Sequence, residues 1–474
     1  MSAYAHLDFV LVITFRKVYP MKNNLDMILN GPVLKMICKL SLPNSITGIS
    51  MVLIILTDAY FVSQLGNVPL ASLALVFPFL TLMQMMSAGA IGGASTSSIS
   101  RFLGAGLIED ANSAIWHAVL ICIFMSLIYT IIFGFLPNHI YSSMGGSNDV
   151  LDGAVVFSQI AFGGAVFTWL LYIFSAILRA IGEFVVPAKV QILGCLFQIF
   201  LGGVFTVGWF GFKSFGIIGP AIAMVVSHFL MMIYLYFYIK YKQKIIKLRT
   251  YPLNKKSFLD IMKVGAGGLI NSITIAGTVA VVTASVSHYG IEALAGYGLG
   301  SRLEIIITPL VFGIGSVLTA AVGINAGANQ MSRAKKIAWV GAIISFIIIG
   351  VISIALAVFP KLWLDNFETN ILSEKYAILY LIIVGPFYCF FAAGQTLYFA
   401  SQGTGKIFFP VIVGIIRFLT VSVVCYLTII FSWSLSLIFY AVSFGLAITG
   451  IGLSLCMLGP DWNSEINQKK IMNT

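Results

Sequence analysis

Twelve apolar stretches run through this chain, each long enough to cross about 30 Å of hydrocarbon as a helix. They fall near residues 37–62, 70–97, 113–136, 153–178, 186–211, 215–239, 264–287, 293–322, 335–360, 372–400, 408–431 and 434–458. Pro43, Pro78, Pro309 and Pro386 lie inside them, which membrane helices tolerate better than soluble ones. The expected fold is an all-α integral membrane protein of twelve transmembrane helices. Of 474 residues, 59% are hydrophobic and 9% charged, against about 25% charged in a soluble domain. That leaves too little polar surface to cover the apolar mass in water.

The net charge of +11 is a matter of topology rather than nucleic-acid binding, because the basic residues sit between the apolar runs. The connections on the side of the N-terminus hold 22 Lys and Arg, including Arg101, Arg179 and Arg333, and the opposite side holds 3. Arg302 and Arg417 fall within spans. This bias places both termini in the cytoplasm of a multi-pass inner-membrane protein. The most basic connection, 240–263, divides the chain near its middle. The expected organisation is an N-terminal segment 1–36, a six-helix lobe 37–239, the linker 240–263, a second lobe 264–458 and a tail 459–474. Met21 offers a second start, with residues 1–20 read as an extension. The six cysteines show no CxxC and the five histidines no metal-ligand spacing, so no metal or other cofactor is expected.

The halves repeat one another. Asn44-Ser45-Ile46-Thr47 recurs as Asn271-Ser272-Ile273-Thr274, and Leu73-Ala74 as Leu294-Ala295. Gly106 matches Gly327, Trp116 matches Trp339, and Gly182 and Pro187 match Gly405 and Pro410. Equivalent helices are six spans apart and so cross the membrane in the same direction. The two lobes should therefore be related by a two-fold axis along the membrane normal. Two such bundles make a central cleft that can open to one side at a time.

The repeated text reads LTDAYFVSQLGNVPLASLALVFPF, GGASTSSISRFLGAGLIEDANSAIWHA and LRAIGEFVVPAKV in the first half. In the second it reads ALAGYGLGSRLEIIITPLVFGIGSVLTAAVGINAGANQMSRAKKIAW and SQGTGKIFFPVIVG. Over roughly residues 30–458 this resembles the multidrug and toxic compound extrusion (MATE) family of the MOP flippase superfamily. The resemblance implies two six-helix bundles, alternating access, and export of drugs or metabolites, often cationic, in exchange for protons or sodium. It implies no enzyme chemistry. The alternative within the superfamily, a flippase for lipid-linked saccharides or peptidoglycan precursors, calls for several Arg or Lys in the central cavity to cradle pyrophosphate. A monomer in the bilayer is expected.

Of sixteen acidic residues, two fall well inside spans, Asp58 and Glu304. A charge at the bilayer centre costs about 2.5–3.5 kcal/mol on insertion scales, so such a residue normally faces a cavity or a partner. Asp58 matches the aspartate of the family's first helix. If it binds a cation when ionised and releases it when protonated, it couples export to protons. Glu304 needs a partner from another helix, and Arg417 is one option. The supporting polar set is Asn44, Thr47, Tyr60, Gln198, Asn271, Thr274 and Arg417. Neither acid is repeated: Asp58 corresponds to Val282 or Ser285 and Glu304 to Met83. One family branch carries a second aspartate in span five, where this chain has Gly202-Gly203, and a threonine where Met224 stands. Another carries a glutamate in span seven, where Asn271, Thr274 and Thr278 stand.

Overall fold

The computed structural model describes residues 23–365, 367 and 370–462. The expectation about residues 1–20 and most of the 459–474 tail lie outside these. Among the described residues eleven helices are long and apolar enough to cross a membrane, and one further pair, bent by 45°, makes a twelfth span. In chain order these are α1 (Val33–Ser63), α2 (Asn67–Gly104), α3 (Ile108–Phe135), the bent α4 (Asn148–Gly163 and Ala165–Ala180), α5 (Val185–Val207) and α6 (Ile218–Lys242). The second half holds α7 (Lys255–Ser287), α8 (Ile291–Gly327), α9 (Met331–Val358), α10 (Ile371–Thr404), α11 (Phe408–Ile430) and α12 (Leu435–Cys456). No strand occurs among the described residues.

Hydroxyls inside the spans bond to carbonyls one turn back, as Ser50 does to Ile46 (3.1 Å) and Thr278 to Thr274 (2.7 Å). Lipid offers them no other partner. Large apolar side chains such as Phe124, Leu193, Ile347 and Leu455 point outward, where in water they would be unfavourable and in lipid are not.

The packing is repeated. In the first half α1 packs on α5, α2 and α3 on α4, and α6 on α4 and α5; in the second half α7, α8, α9, α10, α11 and α12 meet in the same pairings. Between the halves α1 meets α8 as α2 meets α7, and α2 crosses α8 at the pseudo-axis. There a Cβ on Gly104 would lie 2.1 Å from the Ile324 carbonyl oxygen, and one on Gly327 would lie 2.1 Å from that of Arg101. The two contacts exchange residues 223 apart. The left-handed residues agree: Gly106 (φ 75°) with Asn329 (φ 57°), and Gly182 (φ 82°) with Gly405 (φ 76°). This corrects several sequence matches. Ser45, which meets Gly313, is the counterpart of Gly268, which meets Ala90, rather than of Ser272. Between the left-handed Gly66 and Gly290 and this crossing, Leu73 falls opposite Tyr297 rather than Leu294, and Glu304 opposite Thr81 rather than Met83. Gly327 is the counterpart of Gly104, and Gly106 that of Asn329. Identity misled because either glycine of Gly104-Ala105-Gly106 can be aligned with Gly327, whereas the turn requires a positive φ at only one position.

The halves are joined mainly near the side of the termini. Arg101 at the end of α2 pairs with Asp260 near the start of α7 (2.6 Å), which also accepts from Ser98 (2.6 Å). Ser97 donates to the carbonyl of Gln402, and Gln402 Nε2 donates to the carbonyl of Gly89 (3.1 Å). A short helix, Asn23–Asn30, lies across the seam. Asn24 donates to the Gly182 carbonyl in the first half (3.1 Å). In the second half Asn325 and Arg333 donate to the Ile28 carbonyl (3.2 and 3.1 Å). Arg333 thus caps the carbonyl end of that helix, where cations are favoured.

Candidate functional site

Both intramembrane acids lie beyond this seam. Gly48 of α1 meets Pro309 of α8. Asp58 is ten residues past Gly48, about 15 Å along the helix, and Glu304 is five residues before Pro309, since α8 runs the other way. Each half therefore carries one carboxylate on the side away from the termini.

Asp58 sits between α1 and α5. Its Oδ1 is shielded from solvent and has no hydrogen-bond partner among the described residues. Gly202 faces it: a Cβ there would come 3.6 Å from Oδ1. Where a second aspartate would stand α5 has a glycine, and the Phe61 ring lies 3.4 Å from where its Cβ would be. Trp209 fills the next position, lying over Gly203 and edge-on to Phe61 at 5.3 Å. Gln198, one turn before Gly202 on the same face, is buried, and its Oε1 also lacks a partner among the described residues. Tyr60 is 61% exposed and makes no hydrogen bond to Asp58.

Glu304 stands at the head of the second segment of α8, just after the break at Arg302. Its Oε1 accepts from Tyr388 (2.9 Å), whose hydroxyl shares a hydrogen bond with that of Tyr380 (2.8 Å). Glu304 and Arg417 line one cavity of about 50 Å³ with Thr278, Val282, Tyr380 and Tyr388, room for a few waters. Arg417 is not the direct ion partner of Glu304: no contact within 4.0 Å joins them. Arg417 reaches Thr274 (Nη2 to Oγ1, 3.5 Å) and leaves its Nε without a partner among the described residues. Asn271 and Thr274 face Gly414 in the same α7–α11 crevice.

The two crevices are equivalent under the repeat. The left-handed Gly66 (φ 107°) and Gly290 (φ 104°) are 224 residues apart, which makes Val282 the counterpart of Asp58. Val421, another lining residue, is the counterpart of Gln198. The second half keeps the crevice but loses its acid from α7, and α8 supplies Glu304 instead.

Asn44 and Thr47 lie elsewhere. Asn44 is buried and donates to Ser316 across the halves (2.9 Å), and Thr47 donates to the Asn44 carbonyl (2.5 Å). Both sit in the seam, away from either acid. Sequence reasoning missed Tyr380 and Tyr388, since aromatic residues are plentiful in every span. It also placed Arg179 in a loop. Arg179 instead ends α4 and is 7% exposed.

An all-helical, pseudo-two-fold membrane fold with an acid in each bundle defines a transporter rather than an enzyme. The sequence pattern of the MatE family matches residues 43–204 and 269–427, once in each half, and the chain belongs to this family of multidrug efflux transporters. It is 24% identical over 356 residues to the probable multidrug resistance protein YoeA of Bacillus subtilis, covering 74% of this chain and 77% of that one. It is 25% identical over 390 residues to the probable multidrug resistance protein NorM of Thermotoga maritima, covering 81% and 83%. A solved structure described as the outward-facing conformation of a multidrug resistance MATE family transporter of the MOP superfamily superposes with a TM-score of 0.83 at 20% identity, covering 96% of this chain and 100% of that one. These relatives do not favour the flippase alternative.

Removing the Tyr388 hydroxyl in Tyr388→Phe is expected to free Glu304 Oε1. If Glu304 takes part in transport, the export rate should fall several-fold at unchanged protein level. An unchanged rate would assign that hydrogen bond to packing alone.

Proposed function

We propose that this protein is a secondary antiporter, exporting organic solutes in exchange for protons or sodium by alternating access of its two lobes, 37–239 and 264–458. The observation that carries the reading is the asymmetry along the membrane normal. The seam from Asn44–Ser316 to Arg101–Asp260 joins the lobes on the side of the termini, while Asp58 and Glu304 lie beyond it. With the termini in the cytoplasm, as the Lys and Arg bias implies, the cytoplasmic side is closed and a solute is released outward. Asp58 serves as the coupling residue: its carboxylate accepts the inward-moving ion and in doing so gives up the exported solute. Organic cations suit such an exchange, because an anionic site binds them when empty of the coupling ion. Glu304, with Tyr388 and Arg417, completes a second polar site. Asn271 and Thr274 support Arg417. The unit that acts is a monomer, since both lobes come from one chain.

The test is efflux of a cationic dye from proteoliposomes with pH and sodium gradients imposed separately. Export driven by one gradient identifies the coupling ion. Export under neither would overturn the antiport reading.

A further inference from the structure

Arg179 closes the last turn of α4 and is 7% exposed. Under the repeat its counterpart is Gln402, 223 residues on, and the two make different use of the same place. Gln402 Nε2 reaches across the halves to the Gly89 carbonyl (3.1 Å). Arg179 also reaches across, but Phe312 stands where the partner carbonyl would be offered, and the guanidinium lies 6.0 Å from that ring. Among the described residues the guanidinium makes no hydrogen bond and no ion pair.

It borders a small void between the halves, about 10 Å³, lined by Thr96, Arg179, Phe312, Ser316, Thr319 and Phe399 among others. The hydroxyl protons around the void are already committed. Thr96 donates to the Ala176 carbonyl (3.2 Å), Ser316 to that of Gly313 (3.3 Å) and Thr319 to that of Phe399 (2.9 Å). Attraction to one aromatic ring recovers only part of what burial of an unpaired guanidinium costs. The residues lining the void include hydroxyl oxygens but no carboxylate, so the cation there faces no anion. The void is also well placed. Phe312, Ser316 and Thr319 follow Glu304 along α8 toward the side of the termini, and Ser316 is bonded to Asn44 in the seam, so the guanidinium lies within the seam between the halves rather than in either acid crevice.

We propose that Arg179 is a substrate-binding residue that pairs with an anionic group, a carboxylate or phosphate, of the transported solute. The solutes carried would then include zwitterions and anions as well as simple cations. This rests on the alternating-access reading, because the void has room for one water-sized group and the halves must part for an oxyanion to reach it. A planar guanidinium binds a carboxylate or phosphate through two parallel hydrogen bonds, which gives the parted seam both charge and orientation preference. A free anion such as chloride presents the same chemistry, and the test separates the two sources.

The test uses the full chain in nanodiscs and two dyes with the same xanthylium ring: rhodamine 110, with a free carboxylate, and rhodamine 123, its methyl ester. Equilibrium binding is measured in gluconate and in chloride buffer. The wild type is expected to bind rhodamine 110 about tenfold more tightly than rhodamine 123 in gluconate. Arg179→Gln should erase that preference while changing the affinity for rhodamine 123 by less than about twofold, and Arg179→Lys should keep part of it. Equal or undetectable binding of the two dyes by the wild type would overturn the proposal. So would an equal loss of both in Arg179→Gln, which marks a structural role. A chloride-dependent rise in thermal stability without ester discrimination would assign the site to a free anion and overturn it likewise. If Arg179→Gln does not fold, the wild-type preference and its retention in Arg179→Lys still decide. Binding does not require coupling, so failure of gradient-driven export would leave this result standing.

Discussion

Asp58→Asn is expected to abolish gradient-driven export while leaving the protein inserted and folded. The shape of the side chain is kept, and Oδ1 has no hydrogen-bond partner among the described residues, so the substitution breaks no hydrogen bond there. What it removes is the ability to change charge. An amide neither takes up a proton nor presents a negative charge to sodium or to a cationic solute, and the exchange loses its switch. The export rate per inserted molecule in proteoliposomes should fall at least about tenfold, equivalent to about 1.4 kcal/mol, with little change in thermal unfolding. Wild-type export by the variant would take Asp58 out of the coupling reaction. Gly202 sharpens the expectation: among the described residues this crevice holds no second carboxylate to take over.

Gly104→Ala and Gly327→Ala should each force the lobes apart on the side of the termini. The added Cβ would meet a backbone carbonyl oxygen at 2.1 Å, and a carbonyl within a helix cannot rotate away. Overpacking of this kind costs about 1–3 kcal/mol. The two positions face one another across the same crossing, so the double variant should not be additive. The expected result is a lowered unfolding temperature and faster hydrogen exchange over Gly92–Gly104, where α2 carries its contacts to α8 and α10. Gly89→Ala is the control, because a Cβ there meets nothing within 4 Å. If Gly104→Ala proved as stable and as slow to exchange as Gly89→Ala, the crossing would not hold the halves together.

The spans were legible because lipid demands length and apolarity, and both are local properties of sequence. Their edges were not. α7 begins at Lys255, inside the stretch read as linker, because Lys side chains at a helix end extend to the interface and do not stop the helix. The repeat was legible from short matches, and its register was correct at Trp116 and Gly182. It slipped at Gly106, where only the backbone conformation separates two neighbouring glycines, and at Asn44 and Leu73, where a short identity lies within about one helical turn of the true partner. In the candidate site, Asp58 and Glu304 stood out because an acid inside an apolar run is expensive. Tyr388, the partner of Glu304, did not, since nothing in a tyrosine-rich span marks the one that turns inward. Arg179 and Asp260 were counted with loops and helix ends because charge near a span end resembles a topology signal. Whether such a residue faces water or a neighbouring helix depends on what packs against it.

The sequence by itself determined that this chain lives in a membrane, that it is built twice over, and that each half carries one acid where acids are costly. Those conclusions follow from hydropathy, spacing and charge, which need no knowledge of which helices touch. Only the tertiary structure decided that the two acid crevices are equivalent while their acids come from different helices. It also decided that Glu304 is held by a tyrosine rather than by Arg417, and that the halves close on the side of the termini. Those depend on side chains more than 80 residues apart meeting across helix crossings, and the direction in which a side chain points is set by packing rather than by its own segment of chain.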